Sequence, residues 1–175
     1  WLRAVAAPLA SGIADFYASR VTPSKHDPEL VSIKDVVGPD EFGTGFPLYT
    51  GVTDNVYTNA VAARNARFAL RCAAVLDEHN STRESSWAVV ANNMTILLAD
   101  APTGWTGQYH PEYVGYPNGN VYAKGKVKQA DVTMLGFPLQ WPGVAGGTEV
   151  QRNDLEVYAR VYDSEGPAMT SSVHV

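Results

Sequence analysis

An internal disulfide is closed to this chain. Cys72 is the one cysteine among 175 residues, so no internal bridge can form. It sits between Arg71 and Ala73 in a helical apolar pattern, which predicts a small buried side chain rather than a nucleophile. No run of 18 apolar residues occurs, so no segment is expected to span a membrane. Positive charge is in deficit: the formal charge of −5 excludes a general nucleic-acid binder. Four histidines, His26, His79, His110 and His174, lie far apart without metal-ligand spacing, so neither a metal site nor a cofactor is expected. A G-x-S-x-G elbow and a P-loop are both missing. Gly143, Gly146 and Gly147 make a loose turn with no strand before it, the wrong setting for a phosphate cradle. The ends lack stop signals too. Trp1-Leu2-Arg3-Ala4-Val5 opens inside a helical pattern with no cap, and Ser171-Ser172-Val173-His174-Val175 stops in an apolar run. The expectation is a piece of something larger.

What is present reads as helix. Residues 1–21 carry Leu2, Val5, Ala6, Leu9, Ile13, Phe16 and Tyr17 at spacings of three and four, predicting an amphipathic helix that Pro8 either kinks or begins. Leu30 to Val37 is predicted to be extended. A helix from about Asn55 to His79 presents Val61, Ala62, Phe68, Ala69, Cys72, Ala73 and Leu76 on one face. A third is predicted from Thr82 to Ala99, a fourth from Lys126 to Leu139, and a fifth capped by Thr148 within 146–162. One more begins near Gly166. Ala101 to Gly119 is a long loop of Pro, Gly, Trp and Tyr, of the kind that walls a site. The fold class predicted is all-α, with paired helices and long loops on one rim suiting an (α/α) toroid.

Three segments place polar chemistry beside rigid turns: Gly38-Pro39-Asp40-Glu41, Lys128-Gln129-Ala130-Asp131, and Asp163-Ser164-Glu165-Gly166-Pro167. A carboxyl after Gly-Pro is held on a constrained backbone, as a catalytic acid must be, although an ordinary surface loop also carries such acids. Lys128 and Gln129, at the start of a predicted helix, can donate to sugar hydroxyls or merely solvate a helix end. Glu165 is a second carboxylate on a stiff turn, and a helix-dipole role accounts for it equally well.

Together these segments carry a resemblance. Ile13-Ala14-Asp15-Phe16-Tyr17-Ala18-Ser19-Arg20-Val21, Val37-Gly38-Pro39-Asp40-Glu41-Phe42, Asp54-Asn55-Val56-Tyr57-Thr58-Asn59, Lys128-Gln129-Ala130-Asp131-Val132 through Leu139, and Gly166-Pro167-Ala168-Met169-Thr170 occur in order. In them the chain resembles glycoside hydrolase family 65, the acid trehalases, related α-glucoside hydrolases and disaccharide phosphorylases. The resemblance implies a partial (α/α)6 barrel, roughly the C-terminal half of the toroid, without the upstream half and the N-terminal β-domain. It implies an inverting, trehalase-like hydrolase with Glu41 as general acid, and with Lys128 and Gln129 holding the glucose. Glu165 is placed as general base, with Asp163 as runner-up. Asp40 and partial burial would raise the Glu41 pKa. The loop from Phe42 to Gly51 is longer than the family's usual passage, which would reshape the leaving-group subsite.

The partners expected are an α-glucoside disaccharide such as trehalose, the missing half of the same precursor, or a second copy of the chain. Two alternatives stay open: a processed, non-catalytic binding or bioactive fragment, and a disaccharide phosphorylase segment. The Gly-Pro-Ala-Met-Thr ending disfavours the second. Sequons at Asn80 and Asn93 point to a glycosylated, secreted or vacuolar protein.

Overall fold

The computed structural model describes residues 1–40, 50–116, 127–142 and 148–173. They form two compact units, Trp1–Lys34 with Asn59–Thr95, and Asp35–Thr58 with Ile96–Val175. Glu41, Gly143, Gly146, Gly147 and His174 lie outside the described residues.

Alanine decides how the first unit packs. A π-helical turn, Leu2–Ala6, runs straight into α1, Ala7–Arg20. Pro8 stands in the first turn of α1, so it begins the regular helix rather than kinking it. The buried face differs from the predicted one. Ala6, Ala7, Ala10 and Ala14 are buried, whereas Leu9, Ile13 and Phe16 are exposed at 63%, 37% and 57%. Short side chains let α1 approach α3 (Ser81–Asn93) closely, and the large residues are left on the outside. Asp15 fastens the pair: Arg83 Nη2 donates to it at 2.7 Å and Trp87 Nε1 at 2.8 Å. The long helix α2, Val56–Leu76, follows the same rule. Its alanines from Ala60 to Ala73 and Cys72 are buried, but Phe68 is exposed. Asn65 of α2 donates to the Ala10 carbonyl at 2.9 Å.

Strands β1, Val21–Pro23, and β2, Val31–Ile33, pair antiparallel with Val21 opposite Ile33. They account for the short helix α3, which stops at Asn93 rather than Ala99. Met94 turns extended, and Thr95 gives both its N–H and its Oγ1 hydrogen to the Val31 carbonyl, each at 2.9 Å. The helix ends where the strand edge offers an acceptor.

In the second unit, Val36 and Val52 exchange backbone bonds at 3.0 and 2.8 Å. Strands β3, Ala99–Asp100, and β4, Gln108–Tyr109, form a small antiparallel ribbon, so one strand of a hairpin falls inside the predicted long loop and the other just before it. Helix α4, Glu149–Ala159, begins at its predicted cap: Thr148 accepts the Gln151 N–H at 3.1 Å. Helix α5 is Ala168–Val173. The helix predicted over Lys126 to Leu139 reduces to one 3-10 turn, Val132–Leu135. Its leading backbone is spent sideways: Val127 N–H donates to Val161 O at 3.0 Å and Asp163 N–H to Val127 O at 2.7 Å. The all-α expectation holds in part: the described residues are largely helical, with two short β-ribbons beside the helices.

Candidate active site

The Gly38-Pro39-Asp40 turn is wedged between two other pieces of chain. A Cβ added at Gly38 would fall 2.5 Å from Asn55 Nδ2 and 2.7 Å from Asp131 Oδ2, so only glycine lets the turn approach them. Asp131 Oδ2 accepts from Asn55 Nδ2 at 2.8 Å and, at a long 3.5 Å, from the Asp40 N–H. Asn55 in turn caps α2, its Oδ1 accepting from Thr58 N–H at 2.9 Å and Thr58 Oγ1 at 2.7 Å. Asp40 points its own carboxylate at the other segment and accepts the Lys128 N–H at 2.7 Å. Gln129 Nε2 donates to the Pro39 carbonyl. Gly166 completes the junction, since a Cβ there would lie 2.3 Å from the Lys128 carbonyl oxygen. The three segments marked by sequence thus meet, joined mainly through backbone groups.

Three carboxylates are buried at this place: Asp40 at 1%, Glu112 at 1% and Asp131 at 2% exposure. Burial pushes Glu112 well above the usual carboxylate range, and the nearby charges of Asp131 and Asp40 push the same way. Asp131 is raised to about 7 by its burial, against the lowering effect of the bonds from Asn55 and the Asp40 N–H. Glu112 Oε2 and Asp131 Oδ1 have no hydrogen-bond partner among the described residues. Buried oxygens of this kind favour keeping a proton, because an unpaired charge away from water is the costlier state. Tyrosines sit around them. Tyr113 and Tyr116 meet edge to face at 5.3 Å, and burial, with the Glu112 and Asp40 charges, raises Tyr113 to about 12.

Glu112 is fixed from both sides along the chain. Its carbonyl accepts the Val56 N–H at 2.8 Å, at the start of α2. Two residues earlier, buried His110 is gripped by Asp154 of α4, which takes its backbone N–H at 2.8 Å and faces its Nδ1 at 2.9 Å. A carboxylate on Nδ1 places the ring proton there. Tyr158 OH donates to the His110 carbonyl at 2.8 Å. Burial raises the Asp154 carboxyl, with the bonds from His110 opposing it.

Of the residues singled out from sequence, Glu41 lies outside the described residues, and its chain neighbour Asp40 anchors the turn. Lys128 and Gln129 are half-buried and adjacent to that turn. They lie in a bend just after the bridge that Val127 makes with Tyr162, rather than at a helix start. Glu165 is exposed, its N–H donating to Asp163 Oδ1 at 3.0 Å. Asp163 is half-buried and holds the Val127 carbonyl through its N–H. The sequence marked Asn55 only as part of a motif and a helix start, and gave no role to Glu112 or to the His110–Asp154 pair. A trace of Glu112 was there, an acid enclosed by Tyr109-His110-Pro111 and Tyr113, since acids set among aromatics are desolvated acids. Nothing local marks Asp154, whose partner is 44 residues away.

The glycosyl hydrolase family 65 central catalytic domain matches residues 1–104. The chain belongs to this family. It is 42% identical over 159 residues to a protein-glucosylgalactosylhydroxylysine glucosidase of Danio rerio, covering 91% of this chain and 21% of that protein. It is 34% identical over 174 residues to a kojibiose hydrolase of Mucilaginibacter mallensis, covering 99% and 22%. A solved structure from the human microbiome, described as a candidate kojibiose phosphorylase, shares the fold with a TM-score of 0.67 at 17% identity, over 97% of this chain and 26% of that one. The family 65 chain spans about a fifth of the length of the curated relatives it matches.

Proposed function

We propose that this chain supplies the acid side and the glucose-holding side of an inverting glucoside hydrolase. In this reading Glu41 protonates the oxygen of the leaving group while water attacks the anomeric carbon from the opposite face. The glycosidic C–O bond breaks, the new C–O bond forms, and a second carboxylate takes the proton from water. Glu165 is the second carboxylate we assign, with Asp163 next to it. Lys128 and Gln129 hold the glucose. The helices are part of an (α/α)6 barrel, a reading supported by the likeness in fold to the microbiome protein.

One observation carries the proposal. Asp40, bonded to Glu41, reaches across 88 positions to the Lys128 N–H, and Gly166 packs on the carbonyl of the same lysine. The turn that precedes the candidate acid, the sugar-holding pair and the Gly166 end of the candidate base segment therefore meet, which supports the reading. The relatives act on glucosylgalactosylhydroxylysine and on kojibiose by their names, which favours kojibiose or a glucosylgalactosyl unit over trehalose as the substrate.

The test uses the full-length protein. Glucose release is measured from kojibiose, from a glucosylgalactosyl-hydroxylysine peptide and from trehalose, with and without phosphate. Release without phosphate is expected, and Glu41→Gln is expected to lower it by about 10³-fold, since acid catalysis contributes roughly 10²–10⁴. A phosphate requirement, or hydrolysis unchanged in Glu41→Gln, overturns the reading. Azide should rescue Glu165→Ala by forming the β-glucosyl azide, and failure to do so moves the base role to another carboxylate.

A further inference from the structure

We propose that Asp131 is a positioning residue for the acid-bearing turn, its carboxylate pinning the Gly38–Asp40 backbone against the cap of α2 while Asp40 locks the same turn to Lys128. The proposal rests on the hydrolase reading above and adds to it a residue that touches neither sugar nor water.

The geometry is specific. Asp131 Oδ2 lies where a Gly38 side chain would be, takes the Asn55 amide at 2.8 Å and the Asp40 N–H at 3.5 Å. It is 2% exposed, so water does not compete for these contacts. Asp40 is equally buried and spends its Oδ1 on the backbone of Lys128. Two carboxylates are thus placed at the cost of desolvation and are used to fix main chain, on both sides of one peptide turn. Glu41 is the next residue. An error of about 1 Å in the approach of a catalytic group costs on the order of 10²-fold in rate, so a turn that carries an acid gains from such a clamp. The charged groups facing Asp131 are Asp40 and Glu112, both acidic, and hydrogen bonds from Asn55 and Asp40 N–H are what offset their repulsion.

A fault in acid delivery can be told from a fault in folding or sugar binding by the leaving group. Kojibiose needs its departing oxygen protonated, whereas fluoride leaves from α-glucosyl fluoride with little help. In the full-length protein, Asp131→Ala is expected to lose about 10²-fold in kcat on kojibiose but less than about 5-fold on the fluoride. Asp131→Asn, which keeps an acceptor oxygen, should recover most of the kojibiose rate. Gly38→Ala, which displaces the carboxylate from the other side, should reproduce the Asp131→Ala pattern, and it decides the matter if Asp131→Ala does not fold. Thermal midpoints are recorded for each. Equal losses on both substrates, or no loss on either, overturn the positioning role while the hydrolase reading stands. A wild-type protein silent on both substrates overturns the hydrolase reading and this inference with it.

Discussion

Burial changes what a carboxyl group does in this chain. Glu112 and Asp131 bind their protons more tightly in the folded state than in an unfolded chain, Asp131 with a value of about 7 against 3.8. Between about pH 4 and about pH 7 the folded state therefore holds the extra proton, and stability falls as pH rises through that window. The contribution is complete below pH 4. In the full-length protein the urea midpoint should drop from pH 5 to pH 7.5, and Glu112→Gln should flatten the slope, because a neutral amide has no proton to lose. A midpoint that rises over this range would contradict the assignment. Gly166 makes a separate point about size. A methyl group there meets the Lys128 carbonyl oxygen at 2.3 Å and the Asp163 carbonyl oxygen at 2.9 Å, so Gly166→Ala should cost about 1–3 kcal/mol, read as a lowered thermal midpoint.

Helix existence was legible from the sequence, and helix orientation was not. Spacing predicted α1, α2 and α4, and Thr148 marked the start of α4 because a hydroxyl before a helix satisfies one of its orphan N–H groups. Thr148→Ala should cost about 1 kcal/mol in the denaturation of the chain. Spacing identifies a face but not which face is covered. On α1 the large residues match an amphipathic pattern, yet the alanines are buried, since close approach to α3 needs small side chains. It follows that Ala14→Leu should destabilise the 175-residue chain by about 1–3 kcal/mol through overpacking. Leu9→Gln should change it by less than about 0.5 kcal/mol. The reverse order in a thermal melt would refute the packing described. The failed helix over Lys126 to Leu139 has the same lesson at its root. Backbone bonds from Val127 and Lys128 to segments 34 and 88 positions away competed with helix and won, and local periodicity carries no record of such distant acceptors.

Taken as a whole molecule, the chain leaves a large apolar face uncovered in its first unit. Trp1, Val5, Leu9 and Phe16 are 85%, 49%, 63% and 57% exposed, and Trp1, Val5 and Leu9 border with Phe68 a cavity of about 200 Å³. Contiguous apolar surface of this kind drives association. The isolated 175-residue chain should therefore sediment with a concentration-dependent mass, and Leu9→Glu with Phe16→Lys should shift it towards 18.9 kDa. A monomer at all concentrations would show the face to be tolerated. The sequence by itself determined most of the helices, the lone buried cysteine, the Gly38-Pro39 turn and the family, because periodicity, turn chemistry and ordered motifs are properties of neighbouring residues. Tertiary structure alone decided that the three polar segments meet, that Glu112 is a desolvated acid, and that Asp40 and Asp131 bind backbone. Those properties depend on burial and on partners up to 91 positions away, which the sequence brings together only by folding.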